Sequence, residues 1–378
     1  LSACRARDDS QSAGLNVFFY RFWERSRFFK KSISSANKES TKSMLSRTDL
    51  IANRQLRIDK AQGSMLGLAV GDAMGDLGRS ADYRARYGIV TQLYAGGQST
   101  DDTEFALLTA ATLIDCGGRL TRAALVDSWQ RRILDQGGVY ERAGKPLYGA
   151  VANLARGILP PLTGRDNVMN DDDGAAMRIA PIGILCAGEP QRAAALAQIE
   201  AEMSHYEDGV WAAQAVAASV ALAMVDAPLA EIIAAGMAQI PPDSWLGRTM
   251  AKALYIAGSA SSMEEAWEPL HTEFWTPVHS AVAEALPQIY ALLQLTNADY
   301  QRAMFWGCNF GRDADTIGAV LGAITGALHG VSIIPAAWQE RALRPKGVCL
   351  KFTASMHIPT VATQLADLIA LEPPRATA

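Results

Sequence analysis

An all-α fold is what this sequence predicts, on three observations. Glycine recurs every fourth residue in two separate stretches, short apolar-periodic segments follow one another between prolines, and neither alternating strand patterns nor a βαβ glycine fingerprint occurs. The 378 residues are 49% hydrophobic and 20% charged, the balance of a soluble globular protein. That length exceeds the size at which one core usually stops growing, but a domain of about 250–300 residues with an appendage accommodates it. The net charge of −4 conceals an asymmetry: residues 1–60 hold 13 Lys and Arg against 6 Asp and Glu, and the remainder 22 against 33. A basic arm is joined to an acidic body.

The arm, residues 1–50, has two parts. Val17 to Lys31 sets Phe18, Phe19, Tyr20, Phe22, Trp23, Phe28 and Phe29 among Arg21, Arg25, Arg27, Lys30 and Lys31, and Ser32 to Ser46 is a connector rich in Ser, Lys and Asn. So many aromatics cannot stay solvated cheaply: they fold back on the body, meet a membrane surface or dock into a partner. Aromatic and Arg side chains dominate interface hot spots, so a partner protein is the favoured use, ahead of single-stranded nucleic acid. Leu1-Ser2-Ala3-Cys4 has the look of a lipoprotein cleavage site without an apolar stretch before it, and no lipid anchor is expected. Cys4, Cys116, Cys186, Cys308 and Cys349 form no C-x-x-C pair, which points away from zinc and disulfide frameworks and towards a reducing cytoplasm.

From Leu50 the pattern turns helical. Gly63, Gly67, Gly71 and Gly75 fall on one helix face with Asp72 beside them; Gly318, Gly322, Gly326 and Gly330 repeat the device, with Ala319, Ala323 and Ala327 alongside. Each glycine costs about 1 kcal/mol relative to alanine inside a helix, so the two ridges are expected to cross at their small faces in tight packing. Ser99-Thr100-Asp101-Asp102-Thr103 then leads into a helix from Glu104 to Asp115. Further helices are expected near 121–134, 147–157, 176–187, 191–203, 209–225, 229–237 and 245–257, punctuated by Pro160-Pro161, Pro181, Pro190, Pro228 and Pro241-Pro242. Ile317 to Ile334 spans 18 residues with His329 as its one ionisable group. Its glycines and its acidic approach mark a buried core helix rather than a membrane span.

Two stretches carry the chemistry. Gly311-Arg312-Asp313-Ala314-Asp315-Thr316 and the Ser99–Thr103 run each bring two carboxylates and a hydroxyl to the start of a helix. Oxygen-only donors of this kind suit Mg²⁺, Mn²⁺ or Ca²⁺. The bland alternative is capping, at which Asp is common, but a cap needs one acid and each stretch offers two. A helix N-terminus carries partial positive charge and works against a cation, so a site placed there needs this surplus of anions. Asn170-Asp171-Asp172-Asp173-Gly174 has the acidity of an EF-hand loop but lacks its twelfth-position Glu, and calcium is not expected there. Ser204-His205 precedes a long apolar helix, where a lone histidine caps or packs more often than it ligates.

Gly67-Leu68-Ala69-Val70-Gly71-Asp72-Ala73-Met74-Gly75, the Ser99–Thr103 run, Gly174-Ala175-Ala176-Met177-Arg178-Ile179-Ala180-Pro181-Ile182-Gly183, Ser204-His205, and Gly311–Thr316 with its glycine-rich helix extend over about residues 60–345. In order and joint spacing the chain resembles the ADP-ribosylglycohydrolase family. The resemblance implies a compact orthogonal bundle of helices over residues 51–372 with a dinuclear cleft for two Mg²⁺, Mn²⁺ being a substitute. Thr100, Asp101, Asp102, Asp313, Asp315 and Thr316 match the family's metal ligands, and Asp72, Met177, Arg178, His205 and Arg312 are expected at the substrate. Asp101 or Asp102 is the expected catalytic carboxylate, taking a proton from water or stabilising an oxocarbenium-like state. The implied reaction is hydrolytic removal of ADP-ribose from a modified protein side chain, with arginine the first choice. The chain departs from the family at Arg312 and Ala314, where Gly and Thr are common, and at Gly137 to Pro146, where only Glu141 stands in for an acidic substrate contact.

Some members of the family are immunity proteins against ADP-ribosyltransferase toxins, and residues 15–46 would suit insertion into the cleft of such a toxin. Two other functions stay open on sequence alone: a binding protein that inhibits by occlusion, and a hydrolase of a small ADP-ribose derivative. Neither a membrane nor nucleic acid is an expected partner, and the expected location is cytoplasmic.

Overall fold

A computed structural model describes residues 44–371. The aromatic arm, from Phe18 to Phe29, lies outside the described residues. Helix α1 (Arg47–Ala52) opens on a capping box, in which Ser46 Oγ accepts from Asp49 N and the Asp49 carboxylate accepts from Ser46 N. Asn53 then caps α2 (Arg54–Arg79), which carries the first glycine ridge. Arg47 donates to Leu185 O, Ala187 O and Ile369 O, and Arg57 to Ala366 O. These bonds fasten α1 and the start of α2 to the body, across the boundary at residue 50 drawn from composition.

The chain continues through α3 (Ala81–Tyr87), α4 (Asp101–Asp115), α5 (Arg122–Arg132), α6 (Lys145–Ala155), α7 (Leu162–Arg165), α8 (Ala180–Leu185), α9 (Pro190–Ala201), α10 (Asp208–Ala223), α11 (Leu229–Met237), α12 (Trp245–Ser259), α13 (Met263–Thr272), α14 (Val282–Thr296), α15 (Tyr300–Cys308), α16 (Ala314–His329), α17 (Ala336–Ala342) and α18 (Ile358–Leu371). No strand occurs among the described residues, where Asp172 and Ala281 form an isolated antiparallel bridge. The fold is all-α, as expected. The helix expected from residue 176 starts later: residues 174–178 form turns, and α8 begins only at Ala180. Pro181 has no N–H and clashes with the preceding turn, so it fits the first turn of a helix and not its interior.

Helices α2 and α16 share the largest interface, and it is built on the glycines. A Cβ placed on Gly63, Gly67, Gly71 or Gly75 would lie 2.2, 2.2, 2.0 or 2.1 Å from the carbonyl oxygen of Gly326, Gly322, Gly318 or Ala314. The two ridges therefore run antiparallel, backbone against backbone, at a separation that no other residue type permits. Helix α15 packs on both members of this pair and α18 on α2, while α10 and α14 cover α16. Helix α16 ends at Gly330, whose φ of 81° is a left-handed terminator suited to glycine. Among the described residues no helix is long and apolar enough to cross a membrane. Because the pair is antiparallel, the C-terminal end of α2, with Asp72 and Arg79, lies beside the N-terminal end of α16, with Asp313 and Asp315.

Candidate active site

Thr100, not an acid, caps α4: its Oγ1 accepts from Asp102 N at 3.4 Å. Asp72 reinforces this from α2. Its carboxylate accepts from Thr100 N (2.9 Å), Thr100 Oγ1 (2.7 Å), Thr103 N (3.2 Å) and Thr103 Oγ1 (2.5 Å), satisfying the N-terminal donors that α4 cannot satisfy itself. Asp72 is fully buried, so its place is beneath the acids as a support. With the amides met, Asp101 and Asp102 are released from capping. Asp101 Oδ2 accepts from Gly144 N at 2.8 Å, and Asp102 Oδ1 is buried with no hydrogen-bond partner.

At the start of α16, Asp313 holds the cap position but makes no capping bond. Its side chain and those of Asp315 and Thr316 are buried. Gly311 and Arg312 enter with φ of 82° and 56°, the left-handed region where a glycine is free and an arginine is strained. The strain at Arg312 is offset by a two-pronged pair with buried Glu284 (2.5 and 2.9 Å) and a bond to Thr276 O (2.6 Å). Its guanidinium also lies over the Trp275 ring, 5.4 Å from the centroid. Arg312 is thus committed to the loop around Thr276 and points its charge at Glu284.

A third loop, not foreseen from the sequence, brings another carboxylate. Asp173 is buried, and desolvation together with the neighbouring Asp313 and Asp172 charges holds its carboxyl well above the usual range. Its N–H donates to Ser280 O at 2.9 Å, its carbonyl accepts from Met177 N at 3.0 Å, and its Oδ2 has no partner. Beneath the loop runs a closed polar chain. Glu200 pairs with Arg178 Nε (2.8 Å); Arg178 donates to Gly174 O (2.8 Å) and Ser204 Oγ (2.9 Å). Ser204 Oγ meets His205 Nδ1 (2.7 Å), and His205 Nε2 meets Asp172 Oδ1 (2.6 Å). The donors line up if Ser204 gives its proton to Nδ1 and Nε2–H gives to Asp172, an assignment made from the network. Arg178 and His205 are fully buried and Met177 nearly so. These three residues fix the loop that presents Asp173.

Asp101, Asp102, Asp173, Asp313 and Asp315 thus gather from two helix starts and one loop, and Asp101 alone of the five is partly open to solvent. Burial and the Asp315 charge push Asp101 up to about 7; its edge meets solvent, but surrounding atoms desolvate it. Burial pushes Asp72 up to about 8 against the hydrogen bonds it accepts from Thr100 and Thr103. Asp102 and Asp313 are likewise held well above the carboxylate range, by burial first and by neighbouring acids second. Two cations face this charge, with the His279 ring beside the first. Arg79 Nη1 reaches Asp313 Oδ1 at 3.0 Å and both oxygens of Asp315. Its Nη2 lies 3.1 Å from His279 Nε2, a ring whose own proton affinity burial and Arg79 depress. Arg142 binds Asp76 at 2.7 Å and stands 3.9 Å from Asp315. Arg142 comes from the loop that departs from the family, where Glu141 is only a weak substitute for an acidic contact; Glu141 itself is exposed.

The donor chemistry fits a hard divalent cation: carboxylates and hydroxyls only, with two buried carboxylate oxygens unpaired. As arranged, no three His, Cys, Asp or Glu side chains among the described residues are grouped as metal ligands. The Arg79 guanidinium bridges Asp313 and Asp315 instead. A cavity of about 270 Å³ lined by Met74, Thr91, Gln301, Phe305, Pro335 and Trp338 includes none of the acids.

The family profile of the ADP-ribosylglycohydrolases matches residues 53–374. The chain is similar to an ADP-ribosylarginine hydrolase of Pseudomonas putida, 26% identical over 321 aligned residues, covering 82% of this chain and 78% of the relative. It is similar also to an ADP-ribosyl-(dinitrogen reductase) glycohydrolase of Rhodospirillum rubrum, 25% identical over 297 residues, covering 75% of this chain and 90% of that one. A solved structure of an ADP-ribosylglycohydrolase-related protein complex shares the fold, with a TM-score of 0.60 and 24% identity over 84% of this chain and 99% of that one.

Proposed function

The chain belongs to the ADP-ribosylglycohydrolase family, and on that premise we propose that it hydrolyses the bond between ADP-ribose and a modified arginine side chain of a protein. The observation that carries the proposal is the meeting of five carboxylates from two helix starts and one loop, two of them with buried, unpaired oxygens. Such a surplus of negative charge is costly to a fold and is retained where chemistry uses it. The arginine linkage is supported by the similarity to a relative named for that activity and by the affinity of an acidic cleft for a guanidinium.

Thr100, Asp101, Asp102, Asp313, Asp315 and Thr316 would hold two divalent cations, Mg²⁺ with Mn²⁺ as a substitute, which when bound would supply charge for ribose hydroxyls and for a water of lowered pKa. The chain's own acids do the rest. Asp101, partly open to solvent and held by Gly144 N, is placed to take a proton from the attacking water. The buried carboxylates behind it favour the positive charge that develops at the anomeric carbon as the bond to nitrogen breaks. Thr100, Thr103 and Asp72 hold the pair Asp101–Asp102 in register, and the Arg178–Ser204–His205–Asp172 chain holds Asp173.

Incubation with peptides carrying ADP-ribose on arginine or on serine, and with a small O-linked ADP-ribose derivative, separates the readings by mass spectrometry. Release from arginine alone is expected. Release from the small derivative alone would overturn the protein-linked reading.

A second role rests on the basic aromatic arm: binding of an ADP-ribosyltransferase toxin through residues 15–46, as an immunity protein. The net positive charge of residues 1–60 and the run from Phe18 to Phe29 support it. Deleting residues 1–46 is expected to abolish tight toxin binding and spare hydrolysis; equal binding by the truncated protein would refute it. Protection by a variant with both Asp101 and Asp102 changed to Ala would show that occlusion suffices.

A further inference from the structure

The gathered acids differ in how far their charge is already met. Asp313 and Asp315 are engaged by Arg79, whose Nη1 contacts one oxygen of the first and both oxygens of the second. Arg142 stands 3.9 Å from Asp315 and adds a second positive group at the same end. Among the described residues no ion pair engages Asp102 or Asp173: Asp102 Oδ1 and Asp173 Oδ2 are buried and without any hydrogen-bond partner, while the other side of the Asp173 carboxyl shares a hydrogen bond with Asp313. Arg79 is also not on a mobile loop. It is the last residue of α2, whose backbone is locked on α16 through the glycine ridges, and Asp313 and Asp315 sit at the start of α16. Two rigid helices therefore deliver the guanidinium and its carboxylates to one another. A guanidinium does not lose its proton in proteins, so the charge stays.

We propose that Arg79 is a built-in counter-cation that fills one of the two cation positions implied by the sequence, so that the site takes a single divalent ion on its Asp102–Asp173 side. The inference rests on the metal-dependent reading above and changes its stoichiometry. A second divalent ion beside Asp313 and Asp315 would face a fixed positive charge within hydrogen-bonding range of the same oxygens, and like charges at that distance repel strongly in a desolvated site. Arg79 thereby gives the Asp313–Asp315 end its charge balance without metal, and those two acids become anchors of the guanidinium.

The test is Mn²⁺ binding to the metal-stripped full-length chain, counted by the electron paramagnetic resonance of free Mn²⁺ and by isothermal titration. One Mn²⁺ per chain is expected for the unaltered protein and for Arg79→Lys, and two for Arg79→Gln. Circular dichroism checks that each variant is folded; should Arg79→Gln not fold, the unaltered protein and Arg79→Lys decide. Two ions in the unaltered protein would overturn the assignment and leave the hydrolase reading intact. One ion in folded Arg79→Gln would overturn it as well, by showing that the guanidinium blocks nothing. No binding in any variant would overturn it together with metal dependence.

Discussion

Replacing Gly67 by Ala tests the helix pair on which the site is built. The added Cβ would stand 2.2 Å from Gly322 O and 2.8 Å from Gly322 C, whereas ordinary contacts begin at 3.4 Å. Helices α2 and α16 must then part by about 1.2 Å at this point. The obstacle is backbone and cannot rotate away, so the cost lies at the upper end of overpacking, about 3 kcal/mol. Alanine returns about 1 kcal/mol of helix propensity, leaving a net loss of about 2 kcal/mol. For a domain spanning residues 44–371 that lowers Tm by about 3 °C. Gly258→Ala is the control. Gly258 is an exposed glycine in α12 whose Cβ would meet only the flexible end of Gln294, at 3.2 Å, so stability is expected to hold or rise by up to about 1 kcal/mol. Because α2 carries Asp72 and Arg79, and α16 follows from Asp313, a shift of about 1 Å is also expected to lower kcat by up to ~10²-fold. Differential scanning calorimetry of both variants decides: a Gly67→Ala protein as stable as the unaltered chain would refute the backbone contact.

Three other variants separate support from chemistry. Arg178→Met strands buried Glu200 and removes the donors to Gly174 O and Ser204 Oγ; urea unfolding is expected to show a loss of about 3–5 kcal/mol, most of it recovered in the double variant with Glu200→Met. Asp173→Asn keeps the volume and removes one charge, so a tenfold or greater weakening of Mn²⁺ binding by isothermal titration is expected with an unchanged circular dichroism spectrum, on the order of one charge-assisted contact. Arg312→Ala leaves Glu284 with Thr276 N as its remaining partner. Since Arg312 is partly exposed, a loss of only about 1–3 kcal/mol is expected by chemical denaturation, with KM for the ADP-ribosylated peptide unmoved.

The central helix pair was legible because four-residue glycine spacing puts every glycine on one helix face; its antiparallel register was not, and is seen only in the pairing of Gly63 with Gly326 and Gly75 with Ala314. The two acid-bearing helix starts were legible too, including the surplus over capping: Thr100 caps α4 and Asp313 caps nothing. Asp173 was not, since its loop was weighed only as an EF-hand. What gives Asp173 its place is contact with Ser280 and Asp313, far along the chain, which local spacing does not encode. Arg79 reads in sequence as an ordinary basic residue at a helix C-terminus, and only the antiparallel pairing puts it against Asp313 and Asp315. Asp72, Arg178 and His205 are completely buried and bonded to the helix start or loop beside them, and that burial depends on packing that local spacing does not encode.

The most direct measurement is release of free ADP-ribose from a protein ADP-ribosylated on arginine, followed by mass spectrometry with Mg²⁺, with EDTA, and for Asp101→Asn. Release in Mg²⁺ is expected, falling by about 10²-fold or more in EDTA and in the variant. Absence of release in Mg²⁺, or equal release in EDTA, would contradict a cation-dependent hydrolase at Asp101, Asp102 and Asp173.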